Sequence, residues 1–150
     1  MRVLIVEDNE AKKDNIIRLL EKEGITDYKT EKFVTKVFQK VRETQFSLLI
    51  TDLGIPRFID NPIVEDVREG LKMMYDLAYE DIKIPTIIYS KTEIYDEQVE
   101  YLEEIEYPFL GQARSVESLE KMIKNFAFNK KWKDVLWKKT IIGELVSLLN

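Results

Sequence analysis

Whatever chemistry this chain performs falls to four short polar groups: Glu7-Asp8-Asn9, Asp52, Ser90-Lys91 and Gln112, each placed directly behind a run of apolar residues. Neither cysteine nor histidine occurs among the 150 residues. That excludes disulfides, thiol nucleophiles, Cys/His zinc sites, Ser-His-Asp triads and imidazole acid/base catalysis. Carboxylates, hydroxyls, amides, lysine and arginine remain. Three carboxylates in one small cleft repel one another and hold raised pKa values unless a cation compensates. An all-oxygen set of this kind suits a hard divalent ion, Mg²⁺ first. For any one of these acids the bland alternative is a strand-end residue that caps a helix and faces water. Acids behind two different apolar runs, with a hydroxyl behind a third, weaken that alternative.

The runs that must position these groups alternate with helical patterns. Val3–Val6 is a continuous apolar run, as expected of a strand buried on both faces, and Phe46–Thr51 (FSLLIT) and Pro85–Tyr89 (PTIIY) read as buried strands too, with a weaker strand over Asp27–Phe33 and a short fifth at Pro108–Gly111. Between them, apolar residues recur at helical spacing over Glu10–Glu23, 34–44, Arg68–Tyr79 and Asp96–Ile105, and a fifth helix follows from about Val116 through Leu119 and Ile123. Arg57–Val67 fits neither period and reads as loop. Strand–helix alternation with doubly buried strands predicts an α/β fold: a five-stranded parallel sheet, doubly wound, with a C-terminal helical extension. In such folds the site lies at the carboxyl ends of the strands, which gathers the four polar groups on one rim.

Composition agrees with a soluble globular protein, at 45% apolar and 34% charged residues. The net charge of -5 argues against a general nucleic-acid binder, and it is unevenly spread: residues 126–150 hold five lysines against Asp134 and Glu144. No run approaches the ~18 apolar residues of a membrane span. The apolar N-terminus is too short for a signal peptide, so the expected compartment is the cytoplasm.

The stretches VLIVEDN at 3–9, LLITDLGIP at 48–56, IPTIIYSK at 84–91 and FLGQ at 109–112 together resemble a response-regulator receiver domain of the CheY-like fold. The separations of 44 residues from Asp8 to Asp52 and 22 from Ser90 to Gln112 agree with that family. The resemblance covers residues 1–125 as one receiver unit with an insertion at about 57–69, leaving 126–150 as an extension without a separate output domain. It implies that Asp52 is a phosphoacceptor. Glu7 and Asp8 would hold Mg²⁺, Asp8 directly with Asp52 and a backbone carbonyl near Gly54, and Glu7 through water. Pro56, four residues past Asp52, also fits. Ser90 would supply the switch hydroxyl and Phe109 the switch aromatic, the alternative for Phe109 being a core ring. Such a domain is no enzyme beyond slow loss of its own phosphoryl group.

With no histidine in the chain, the implied donor is a histidine kinase or phosphotransfer protein acting in trans. The implied output is a protein partner on the face of the fourth helix, fifth strand and fifth helix, or a second copy of the chain. No direct nucleic-acid or membrane contact is expected.

Three departures from the pattern stand out. Gln112 occupies the place of the usual lysine, and an amide cannot neutralise charge; Ala113 replaces the following proline. Lys91 is a candidate compensating cation, with Arg114 also near; the alternative is a solvated side chain. Gly70 lies 14 residues beyond Pro56, and the surplus RFIDNPIVEDVRE carries Asp60, Glu65 and Asp66. Last, the tail bears Trp132, Trp137 and a late apolar cluster, which suit a helix folded back on the domain. The competing function is a pseudo-receiver, a constitutive interaction module without phosphorylation. A dehalogenase-type phosphohydrolase would need a second aspartate where Gly54 stands.

Overall fold

A computed structural model of the chain describes residues 1–57 and 68–130. Within them the elements run β1 (Val3–Val6), α1 (Glu10–Lys22), β2 (Tyr28–Glu31), α2 (Val34–Glu43), β3 (Leu48–Thr51), α3 (Glu69–Tyr79), β4 (Thr86–Tyr89), α4 (Asp96–Glu104) and β5 (Phe109–Ala113). Helix α5 follows over 116–130. The strands form one sheet in the order β2-β1-β3-β4-β5, and every neighbouring pair is parallel. This is the doubly wound α/β arrangement that the alternating pattern predicts. The insertion at 58–67 and the tail from 131, with both tryptophans, lie outside the described residues.

Alternation along the strands sorts the core into two layers. Leu4, Val6, Leu49 and Ile88 face α2, α3 and α4, packing with Val34, Val37, Leu71, Met74, Leu77 and Leu102. Val3, Ile5, Leu48, Ile50, Ile87 and Tyr89 face α1 and α5, packing with Ile16, Leu20, Leu119 and Ile123. The chain's direction therefore reverses at β1, whose neighbours are reached by helices on opposite faces. That switch point lies between the carboxyl ends of β1 and β3, the ends that carry Glu7, Asp8 and Asp52.

β5 differs from its sequence reading. It begins at Phe109 and continues through Gln112 to Ala113, where the apolar run had suggested Pro108–Gly111. A bulge accounts for the extra length: Thr86 pairs with Phe109 but Ile87 with Gly111, leaving Leu110 as the inserted residue. Gly111 adopts φ 130°, a conformation open to glycine at little cost. Hydrophobicity alone does not register such an insertion, so the apolar run ended the strand too soon.

Candidate functional site

Each polar group emerges from its strand end with backbone support. The Glu7 amide donates to the Glu31 carbonyl (3.0 Å) and that of Asp52 to the Val6 carbonyl (3.3 Å), binding the rim to the sheet. Past Asp8, Asn9 caps α1, its side-chain oxygen accepting from the Lys12 amide at 3.0 Å. Asp52 Oδ1 accepts from the Leu53 amide at 2.7 Å and the Gly54 amide at 3.4 Å. From behind, α3 presses on the same backbone. A Cβ added at Gly70 would collide with the Asp52 carbonyl oxygen and stand 3.1 Å from the Asp52 carbonyl carbon, so only glycine lets α3 approach this closely.

Among the described residues the cation in contact with Asp52 is Lys12, a residue the sequence did not single out. Its Nζ donates to Asp52 Oδ2 at 2.9 Å and to the Tyr89 carbonyl at 3.2 Å. It also stands 3.4 Å from Glu7 Oε2 and 5.0 Å from the centre of the Tyr89 ring. Burial alone would lower the Lys12 pKa, but the hydrogen bond and charge of Asp52, joined by Glu7, outweigh it and raise the value. A basic residue in the first helical turn, directly behind strand-end acids, was the available signal: a lysine stem is long enough to double back over the strand ends.

Glu7 is almost fully enclosed, at 1% exposure. Its Oε1 accepts from the Asn9 amide at 3.0 Å, whereas its Oε2 has no hydrogen-bond partner among the described residues, only the ion-pair contact with Lys12. Burial raises its pKa to about 7; the Asn9 amide opposes this, the Asp52 charge adds to it, and Lys12 opposes it. Asp8 is half-buried. Among the described residues, no three Asp, Glu, His or Cys side chains are grouped so as to hold a metal ion. The donor chemistry of Glu7, Asp8 and Asp52 suits Mg²⁺, but their arrangement does not. The Lys12 ammonium stands between two of the three, Glu7 and Asp52, in ion-pair contact with both.

The remaining residues form the wall beyond Asp52. A cleft of about 700 Å³ is lined by Lys12, Asp52, Gly54, Ser90, Lys91 and Arg114, together with neighbouring loop residues. Ser90 is buried, its Oγ accepting from the Thr92 amide at 3.2 Å. Lys91 is exposed on the rim and makes no ion pair among the described residues. The Gln112 amide is turned to the backbone, donating to the Ser90 carbonyl at 2.7 Å and the Thr92 carbonyl at 2.5 Å. Arg114 likewise donates to the Lys91 carbonyl at 3.0 Å. Three donations from β5 and its end thus clamp the loop behind β4. Phe109 is half-buried against the layer that contains Tyr107 and Leu102.

No protein-family model matches the chain, and no curated protein matches it in sequence. Solved structures do. A CheY-like response-regulator receiver domain protein from Methanospirillum hungatei superposes with a TM-score of 0.63 at 17% identity, covering 88% of this chain and 97% of that one. The chemotaxis response regulator CheY4 of Vibrio cholerae gives 0.61 at 16%, covering 83% and 97%. The response regulator Rcp1, solved in an Mn²⁺-bound form, gives 0.60 at 16%, covering 83% and 89%. The chain has the fold of CheY-like receiver domains.

Proposed function

We propose that the chain is a receiver module of two-component signalling in which Asp52 accepts a phosphoryl group. The observation that carries this reading is the setting of Asp52: a single carboxylate, 17% exposed, opening on a cleft lined by Lys12, Lys91, Arg114 and the hydroxyls of Ser90, Thr92 and Ser115. Cations and hydroxyl donors around one carboxylate suit an incoming phosphoryl group, whose anionic oxygens need neutralisation before a carboxylate can attack. In the step itself, an Asp52 oxygen bonds to phosphorus while the donor's bond to phosphorus breaks, its electron pair leaving with the donor. The product is an acyl phosphate on Asp52. Lys12 supplies neutralising charge at the nucleophile, and a divalent ion held by Glu7, Asp8 and Asp52 would add to it.

A phosphohistidine donor would come from another molecule, a kinase or phosphotransfer protein, because this chain has no histidine. Water attacking phosphorus in the same cleft would reset the site slowly, so the module is not an enzyme. Ser90 lines the same cleft as Asp52 and would supply the switch hydroxyl, with Phe109 as the switch aromatic. Output would pass to a protein partner on the face of α4, β5 and α5, in the cytoplasm. A second reading, the constitutive pseudo-receiver, draws on Gln112, whose amide is committed to the loop backbone and does not face Asp52.

The test is intact-mass analysis after incubation with acetyl phosphate or phosphoramidate, with and without MgCl₂. A phosphoryl adduct that disappears in Asp52→Asn is the expected result. Absence of an adduct with small donors and with candidate kinases alike overturns the phosphoacceptor reading in favour of the pseudo-receiver.

A further inference from the structure

Lys12 occupies an unfavourable place for a cation. It is the third residue of α1, inside the first turn, where unsatisfied amides and the helix dipole favour negative charge. Its ammonium nevertheless turns back into the rim, beside the buried ring of Tyr89. There it meets three oxygens: Asp52 Oδ2, the Tyr89 carbonyl and Glu7 Oε2, at 2.9, 3.2 and 3.4 Å. An ammonium has three hydrogens to offer. Two carboxylate oxygens and a carbonyl oxygen are also the donors a hard divalent cation would choose.

Nothing about helix stability calls for this contact. A lysine here could instead pair within the helix, as its neighbour Lys13 does with Glu10. The rim has a need, however. Glu7 is enclosed with one oxygen lacking a hydrogen bond, and Asp52 stands close enough to raise the cost of its charge. A cation here offsets the charge of the two carboxylates, and α1 delivers one covalently.

We infer that Lys12 is a tethered counter-ion that holds the place of a divalent metal between Glu7 and Asp52, so that ammonium and metal compete for the same oxygens. A divalent ion bound to Asp52 Oδ2 with Lys12 in place would sit within a few ångströms of a like charge, a strongly unfavourable arrangement. Metal entry therefore requires Lys12 to release Asp52, Tyr89 and Glu7 together. The inference goes beyond phosphoryl acceptance and does not rest on it, because metal affinity is read directly.

The experiment is titration of Mn²⁺, followed by electron paramagnetic resonance of the free ion, with MgCl₂ calorimetry alongside. Wild type is compared with Lys12→Met, which keeps the stem and removes the charge, and with Lys12→Gln. The expected result is divalent binding at least about tenfold tighter in both variants than in wild type, lost again when Glu7→Gln is added. Equal affinity in wild type and variants overturns the inference, and so does saturable binding in none of them. Should neither variant fold, Lys12→Ala takes their place and is read by the same outcomes.

Discussion

The Glu7 carboxylate is enclosed with one backbone donor and one nearby cation, and that shortage of solvation has a thermodynamic consequence. Burial, with the Asp52 charge adding to it and the Asn9 amide and Lys12 opposing, lifts its pKa from 4.5 to about 7. The folded state thus holds this proton more tightly than the unfolded chain does. Between pH 4.5 and 7 folding takes up a proton, so the contribution of Glu7 is fully favourable below 4.5 and is lost as pH rises through 7. The shift corresponds to on the order of 3 kcal/mol. No histidine titrates in this window, and Glu7 is the carboxylate among the described residues whose pKa is raised into it. Urea denaturation in EDTA should therefore show stability falling from pH 5 to pH 8 in wild type. In Glu7→Gln the profile should be nearly flat, with the larger gain over wild type at pH 8. A flat wild-type profile would contradict the assignment. Sequence could place Glu7 at a strand end beside two other acids and foresee a raised pKa. It could not show that the opposing cation comes from Lys12, because that depends on which way one lysine stem folds.

At the scale of elements, the site is set by how closely helices and loops approach the strand ends. α3 crosses directly behind Asp52, and its second residue, Gly70, touches the Asp52 carbonyl. The Gly70 amide donates to the Leu53 carbonyl at 3.0 Å, so the approach is bonded as well as close. Gly70→Ala would have to push α3 off the sheet or displace the Asp52 backbone, since neither partner is a flexible side-chain tip. Overpacking of this kind costs about 1–3 kcal/mol. We expect Gly70→Ala to lower the denaturation midpoint by a corresponding amount and to reduce phosphoryl labelling of Asp52 even where the variant is folded. Unchanged stability would show that the contact is slack. The glycine was legible in the sequence as the start of the third helix, though its pressure on Asp52 was not. Arg68 similarly could be placed only near a helix start. In the fold it adopts φ 52° as the cap residue of α3 and donates to the Glu93 carbonyl and Gln98 while covering the Tyr95 ring. It thereby ties the start of α3 to α4, two elements that sequence spacing treats as unrelated.

Across the whole molecule, what the sequence made legible is what burial enforces. β1, β3 and β4 are enclosed on both faces along their full length, so all their residues but Thr51 and Thr86 are apolar or aromatic and showed as runs. The edge strands are less constrained: β2 is half-exposed and read weakly, and β5 carries a bulge that no apolar pattern marks. The same asymmetry sets the order in which the structure opens. Both core layers are anchored on β1, β3 and β4, whereas β2 supplies neither layer with a fully buried side chain. Each central strand is also hydrogen-bonded on two sides. Removing α4 or β2 from the sheet leaves most of this core intact, but no motion exposes β3 without dismantling both layers. Native-state hydrogen exchange should therefore find the slowest amides in β1, β3 and β4, exchanging only through global unfolding, with β2 and α4 released at lower free energy. Asp52 and Glu7 would then stand on the most rigid part of the molecule, and the loop behind β4 could respond only by exchanging the three side-chain donations that clamp it. Exchange in β2 or α4 as slow as in β3 would mean that the sheet opens as one unit. It would also remove the graded stability on which a local response to the cleft depends.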